Sequence, residues 1–101
     1  MKLSVQIEFD KTLDLETPKT SVIVGRSPKA DLVVTHDSIS RQHCQIEVAK
    51  NIFYITDLGS SNGSFIDGQK LQPQVKTPFI SSQQLTLGKL ECEISDTGAP
   101  T

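Results

Sequence analysis

Arg26 and Arg41 are the only arginines of this 101-residue chain; its other cationic side chains, histidines aside, are lysines. Each arginine stands near serine in a segment without helical periodicity, "VGRSPKAD" and "DSISRQHCQI". A guanidinium is a planar fork of donors that meets two oxygens of a phosphate together, which a lysine ammonium does not. Serine hydroxyls and free backbone N–H groups, as at Ser38 and Ser40, add neutral donors for the same anion. A third segment, "DLGSSNGSFIDG", offers the hydroxyls of Ser60 and Ser61, and an Asn62 amide that can both donate to and accept from a peptide backbone. The chemistry these residue types suggest is capture of an anion beside a polypeptide.

Other chemistries fit less well. Ser40, His43 and Asp57 have the residue types of a hydrolase triad, but Ser40-x-x-His43 carries no Gly-x-Ser-x-Gly elbow and no recognisable oxyanion hole, so no enzyme is expected. His36, His43, Cys44 and Cys92 lack paired ligand spacing, so no metal or cofactor is expected, and His36 reads as a surface loop residue. A nucleotide phosphate loop would need Gly-x-x-x-x-Gly-Lys-Ser/Thr and a following helix. The net charge of −2 provides no field for nucleic acid or an anionic membrane, so an anion must be held by local geometry. Taken singly, each of the three segments also fits an ordinary polar loop.

The elements that must position these loops are short strands. Leu3, Val5, Ile7 and Phe9 alternate with polar residues, placing one apolar face on an extended strand. "SVIV" (21–24), "CQIEV" (44–48), "IFYIT" (52–56), "QLTL" (84–87) and "LECEI" (90–94) follow the same logic. Ala49-Lys50-Asn51 is expected to join two strands as a hairpin, and Asp67-Gly68 suits a two-residue turn with positive φ at both positions. Gly59, Gly63 and Gly68 mark bends, with Asn62-Gly63 expected as a positive-φ pair. Many short strands with frequent turns point to an all-β, antiparallel β-sandwich. Strand parity puts Cys44, Ile46 and Val48 inward and His43, Gln45 and Glu47 outward.

With 36% hydrophobic and 22% charged residues, the chain reads as one folded domain over residues 1–95, and 96–101 as a polar tail or the start of a linker in a longer protein. No apolar run approaches the roughly 18 residues of a membrane helix, and the N-terminus lacks a signal-peptide core. Cys44 and Cys92 are expected as reduced, buried thiols in a cytoplasmic protein.

Together, Gly25-Arg26-Ser27, Ser40-Arg41-Gln42-His43 and Ser60-Ser61-Asn62-Gly63 resemble, in type, order and approximate spacing, the motifs of forkhead-associated (FHA) domains. The flanking alternating segments agree with that family's sandwich of about eleven strands. The resemblance implies a monomeric module that binds phosphothreonine in a partner protein, a substrate of a Ser/Thr kinase, through loops at one end of the sandwich. By the matched positions, Arg26 and Ser40 would take phosphate oxygens and Arg41 would contact phosphate or adjacent peptide backbone. Ser61 would line the phosphate and methyl pocket, and Asn62 would bond the peptide main chain just after the phosphothreonine. Gly25, His43 and Gly63 are implied as architectural positions, with His43 bracing the recognition loop. Ser61 stands where many members have threonine, and Ser38 where some have a further basic residue. The alternative is a scaffold domain of the same fold whose interactions do not depend on phosphate.

Overall fold

The computed structural model describes residues 2–8 and 11–96, and eleven strands account for its regular structure. They are β1 (Lys2–Ile7), β2 (Lys11–Glu16), β3 (Ser21–Gly25), β4 (Leu32–Val33), β5 (Cys44–Ala49), β6 (Ile52–Asp57), β7 (Ser64–Ile66), β8 (Gln69–Lys70), β9 (Thr77–Phe79), β10 (Leu85–Leu87) and β11 (Leu90–Asp96). Two sheets form, ordered β2-β1-β11-β10-β7-β8 and β4-β3-β5-β6-β9.

Alternation decides what faces inward. Leu3, Val5 and Ile7 of β1, Val22 and Val24 of β3, Phe53 and Ile55 of β6, and Leu90, Cys92 and Ile94 of β11 are all buried. Burying such side chains contributes roughly 1.5–3 kcal/mol each, which makes the sandwich interior the dominant source of stability. The Phe53 and Phe79 rings stack across β6 and β9 with centroids 5.4 Å apart. Both cysteines are free and buried; burial pushes the Cys44 thiol well up and the Cys92 thiol up to about 12, which keeps both protonated and unreactive.

The pairing departs from a purely antiparallel sandwich at one place: β3 and β4 run parallel, Val24 opposite Leu32 and Gly25 opposite Val33. The intervening loop returns the chain to the end of β3 from which it left. The β5–β6 hairpin turns at Lys50-Asn51, with φ of 53° and 65°, and β7–β8 at Asp67-Gly68, with φ of 49° and 83°, as expected for paired positive-φ positions. At Asn62-Gly63 only the glycine takes positive φ, 86°, not both residues as expected; glycine alone carries no Cβ penalty in that region, and the Asn62 side chain bonds the Ser38 carbonyl. Strand β11 continues through Asp96, whose backbone lies opposite Leu3, so the tail expected from 96 lies beyond that residue outside the described residues. Phe9, expected to extend the β1 face, also falls outside them.

Candidate functional site

All three sequence motifs leave strands at the same end of the sandwich. The first leaves β3 at Gly25, the second enters β5 at Cys44, and the third connects β6 to β7. Their backbones are cross-linked: Arg26 N–H donates to the Ser40 carbonyl at 3.0 Å, Ser27 N–H to the Arg41 carbonyl at 3.2 Å, and His43 N–H to the Val24 carbonyl at 2.9 Å. Gly25 is required by this approach, because a Cβ there would lie 1.9 Å from the Arg41 carbonyl oxygen. The need here is for space, since Gly25 has no positive φ.

His43 ties the second loop to the third. Ser40 N–H donates to its Nδ1 at 3.0 Å, so Nε2 carries the proton and donates to the Gly63 carbonyl at 2.9 Å. The ring is fully buried, contrary to the outward direction that strand parity assigns; His43 precedes the first residue of β5, where the pleat does not yet apply. Burial holds the imidazole pKa below its ordinary value, although the Gly63 bond and Asp57 oppose that shift.

Asp57, at the end of β6, organises the third loop. Its carboxylate accepts the N–H groups of Gly59 at 3.0 Å and Ser60 at 3.1 Å, and the hydroxyls of Ser60 and Ser64 at 2.6 Å each. Burial alone would raise its pKa, but the Ser60 and Ser64 hydroxyls and the loop N–H groups outweigh it and hold the group below the ordinary carboxylate value. The Ser60 hydroxyl in turn accepts Gly63 N–H at 3.0 Å. Sequence reasoning considered Asp57 only as a triad member; an aspartate two residues before a glycine at a strand end is an Asx-turn signal that could have revealed this role.

These supports leave one open cleft of about 260 Å³, lined by Arg26, Asp37, Ser38, Ile39, Ser40, Arg41, Ser61 and Asn62. Arg26, Ser40, Arg41, Ser61 and Asn62, drawn from three motifs, thus converge, while Gly25, His43 and Gly63 stand behind them as framework. The Arg26 Nε donates to the Ile39 carbonyl at 3.1 Å, which aims the guanidinium and leaves its terminal nitrogens without a protein partner among the described residues. The Ser40 hydroxyl accepts Ser61 N–H at 3.0 Å and keeps its own proton to donate. Asn62 gives its amide to the Ser38 carbonyl at 2.9 Å, leaving its Oδ1 as an acceptor. The cleft therefore brings together two arginines, serine hydroxyls and an oriented amide oxygen.

Ser38 is itself buried, its hydroxyl bonded to His36 Nδ1 at 2.8 Å and accepting Lys89 N–H at 3.0 Å. Gly88, in the β10–β11 turn, packs so closely that a Cβ would sit 2.4 Å from the Ser38 carbonyl oxygen; its φ is +61°. In the sequence this buttress is signalled only by a glycine between two apolar strands. Ser64, next to Gly63, is fully buried against Asp57 and does not line the cleft.

The triad types do not form a relay. Both His43 nitrogens are engaged by backbone groups, and Asp57 binds serines and loop N–H groups. A second cleft, near Glu8, Glu91 and Glu93, has the wrong charge for an anion.

Comparison with known proteins agrees with this architecture. The FHA domain family model matches residues 22–88. FHA domain-containing protein FhaB of Mycobacterium tuberculosis is 32% identical over 73 residues, covering 72% of this chain and 46% of that protein. The chain thus spans about half the length of such curated relatives. The FHA domain of the CT664 protein from Chlamydia trachomatis superimposes with a TM-score of 0.79 at 29% identity, covering 97% of this chain and all of that one. The N-terminal FHA domain of Saccharomyces cerevisiae Rad53p, solved in complex with a phosphothreonine peptide, shares the fold with a TM-score of 0.80 at 19% identity, covering 96% of this chain and 94% of that one. With the family model spanning all three loop motifs and the same sandwich beneath them, this chain belongs to the FHA domain family.

Proposed function

We propose that this chain is a phosphothreonine-dependent peptide-binding module, without catalytic activity of its own, that recruits a protein phosphorylated by a Ser/Thr kinase. The observation that carries the reading is the cleft on which Arg26, Ser40, Arg41, Ser61 and Asn62 converge. A phosphate of second pKa near ~6 carries about −1.5 to −2 charges at neutral pH, so two guanidinium groups roughly neutralise it. Ser40 and Ser61 supply neutral donors, and the Asn62 Oδ1 accepts a peptide N–H just after the phosphothreonine. The Rad53p complex supports the ligand class by analogy of fold.

The sandwich through the end of β11 at Asp96 acts as the binding unit. The two free, buried thiols suit a reducing cytoplasm. An oriented library of phosphothreonine, phosphoserine and unmodified peptides tests the reading. Selection of phosphothreonine supports it; a partner retained after phosphatase treatment favours the phosphate-independent scaffold instead.

A further inference from the structure

One member of the cleft works against a phosphate. Asp37 lines it together with Arg26 and Arg41, is exposed, and has no hydrogen bond or ion pair holding its carboxylate among the described residues. The lysines that pair elsewhere, Lys2 with Glu16, Lys19 with Asp31 and Lys76 with Glu47, are not lining residues of the cleft. Lys89, whose N–H bonds the Ser38 hydroxyl, and Lys70, whose Cε lies near Gly63, are close to the loops but do not line the cleft either.

The charge balance has a direct consequence. Two guanidinium groups match a phosphate of about −2, and Asp37 then leaves the occupied site about one negative charge in surplus. Asp37 is adjacent to Ser38, whose carbonyl fixes the Asn62 amide, so the surplus lies where Asn62 would meet the chain after the phosphothreonine. Resting on the phosphothreonine reading, we infer that Asp37 is a specificity residue: it selects ligands with lysine or arginine within the three positions following the phosphothreonine, and disfavours acidic ones. A lysine or arginine there neutralises the surplus and pairs with a carboxylate that is otherwise unpartnered. A glutamate there adds to it. Because Asp37 sits at an exposed rim, the effect is one of moderate, salt-sensitive discrimination.

The test uses phosphothreonine peptides with alanine at the three following positions, and versions carrying one lysine or one glutamate at each position in turn. Affinities are measured calorimetrically on the wild type, Asp37→Asn and Asp37→Lys, at low and high salt. The wild type is expected to bind the best lysine peptide about threefold to tenfold tighter than the alanine peptide, with glutamate weakest. Asp37→Asn should tighten binding of the alanine peptide and flatten the series, and Asp37→Lys should invert it in favour of glutamate. Equal lysine and glutamate affinities in the wild type, or an unchanged order in both variants, overturn the role of Asp37 while leaving phosphate recognition standing. No distinction between the phosphorylated and unmodified alanine peptides overturns both.

Discussion

Replacing His43 with alanine separates framework from contact. The imidazole is fully buried and connects Ser40 N–H to the Gly63 carbonyl at 3.0 and 2.9 Å. Truncation removes both bonds. The Gly63 carbonyl retains Gly88 N–H as a donor at 2.9 Å, so its loss is partial, whereas Ser40 N–H is left without this acceptor. One unsatisfied donor costs about 1–3 kcal/mol, a net lost bond about 1 kcal/mol, and the void left by the ring adds to both. The expected loss of folding stability is therefore about 2–5 kcal/mol. For a domain of this size each kcal/mol lowers Tm by roughly 4–8 °C, so the drop should exceed about 8 °C. Phosphopeptide binding should weaken as well, since Ser40 and Gly63 flank the cleft on separate loops. Denaturant unfolding and thermal melts of the purified domain measure the effect. An unchanged Tm with lost binding would refute the bracing argument and make His43 a direct contact.

Gly25→Ala should destabilise by at least about 2 kcal/mol and impair binding, because the new Cβ would collide with the Arg41 carbonyl, which is backbone and cannot rotate away; denaturant titration checks it. Asp57→Ala should cost about 2–4 kcal/mol, since four donors lose one carboxylate, and hydrogen exchange at Gly59 and Ser60 should accelerate. The pKa of His43 is depressed in the fold, so the unfolded chain binds more protons as pH falls below about 6.5: the stability contributed is full above that value and is lost as pH falls through the folded pKa. Asp57, also depressed, adds a further loss below about 3.8. Melts across pH 4–8 should decline toward acid, and a flat profile below about pH 6.5 would count against a neutral, buried His43.

The sequence made the long strands legible because each carries its own alternation: β1, β3 and β6 bury every second side chain, β5 buries Cys44 and Ile46 with Val48 partly buried, and β11 buries Leu90, Cys92 and Ile94. Edge strand β2 escaped because Leu13 and Leu15 are only half-buried among charged neighbours, and β4 and β8, of two residues each, are too short to show a period. The parallel β3–β4 pair arises from the return of a loop, which no local pattern encodes. For the site, the resemblance of the three motifs to FHA domains implied that Arg26, Ser40, Arg41, Ser61 and Asn62 act together. The inward position of His43 and the four-donor hub at Asp57 depend on contacts between loops distant in sequence. Strand parity therefore assigned His43 the wrong direction and could not reveal the Asp57 hub.

Isothermal titration of a phosphothreonine peptide, its unmodified form and its glutamate form, against the wild type and Arg26→Ala, tests phosphate recognition most directly. The wild type should bind only the phosphothreonine form well, because a flat carboxylate of single charge cannot fill a site built from two guanidinium forks and hydroxyls. Arg26→Ala should lose about 2–5 kcal/mol of binding but only about 1 kcal/mol of folding stability, since its terminal nitrogens support no part of the fold and only the Nε bond to the Ile39 carbonyl is removed from it. Equal affinity for the phosphothreonine and glutamate peptides, or wild-type affinity in Arg26→Ala, would contradict the account.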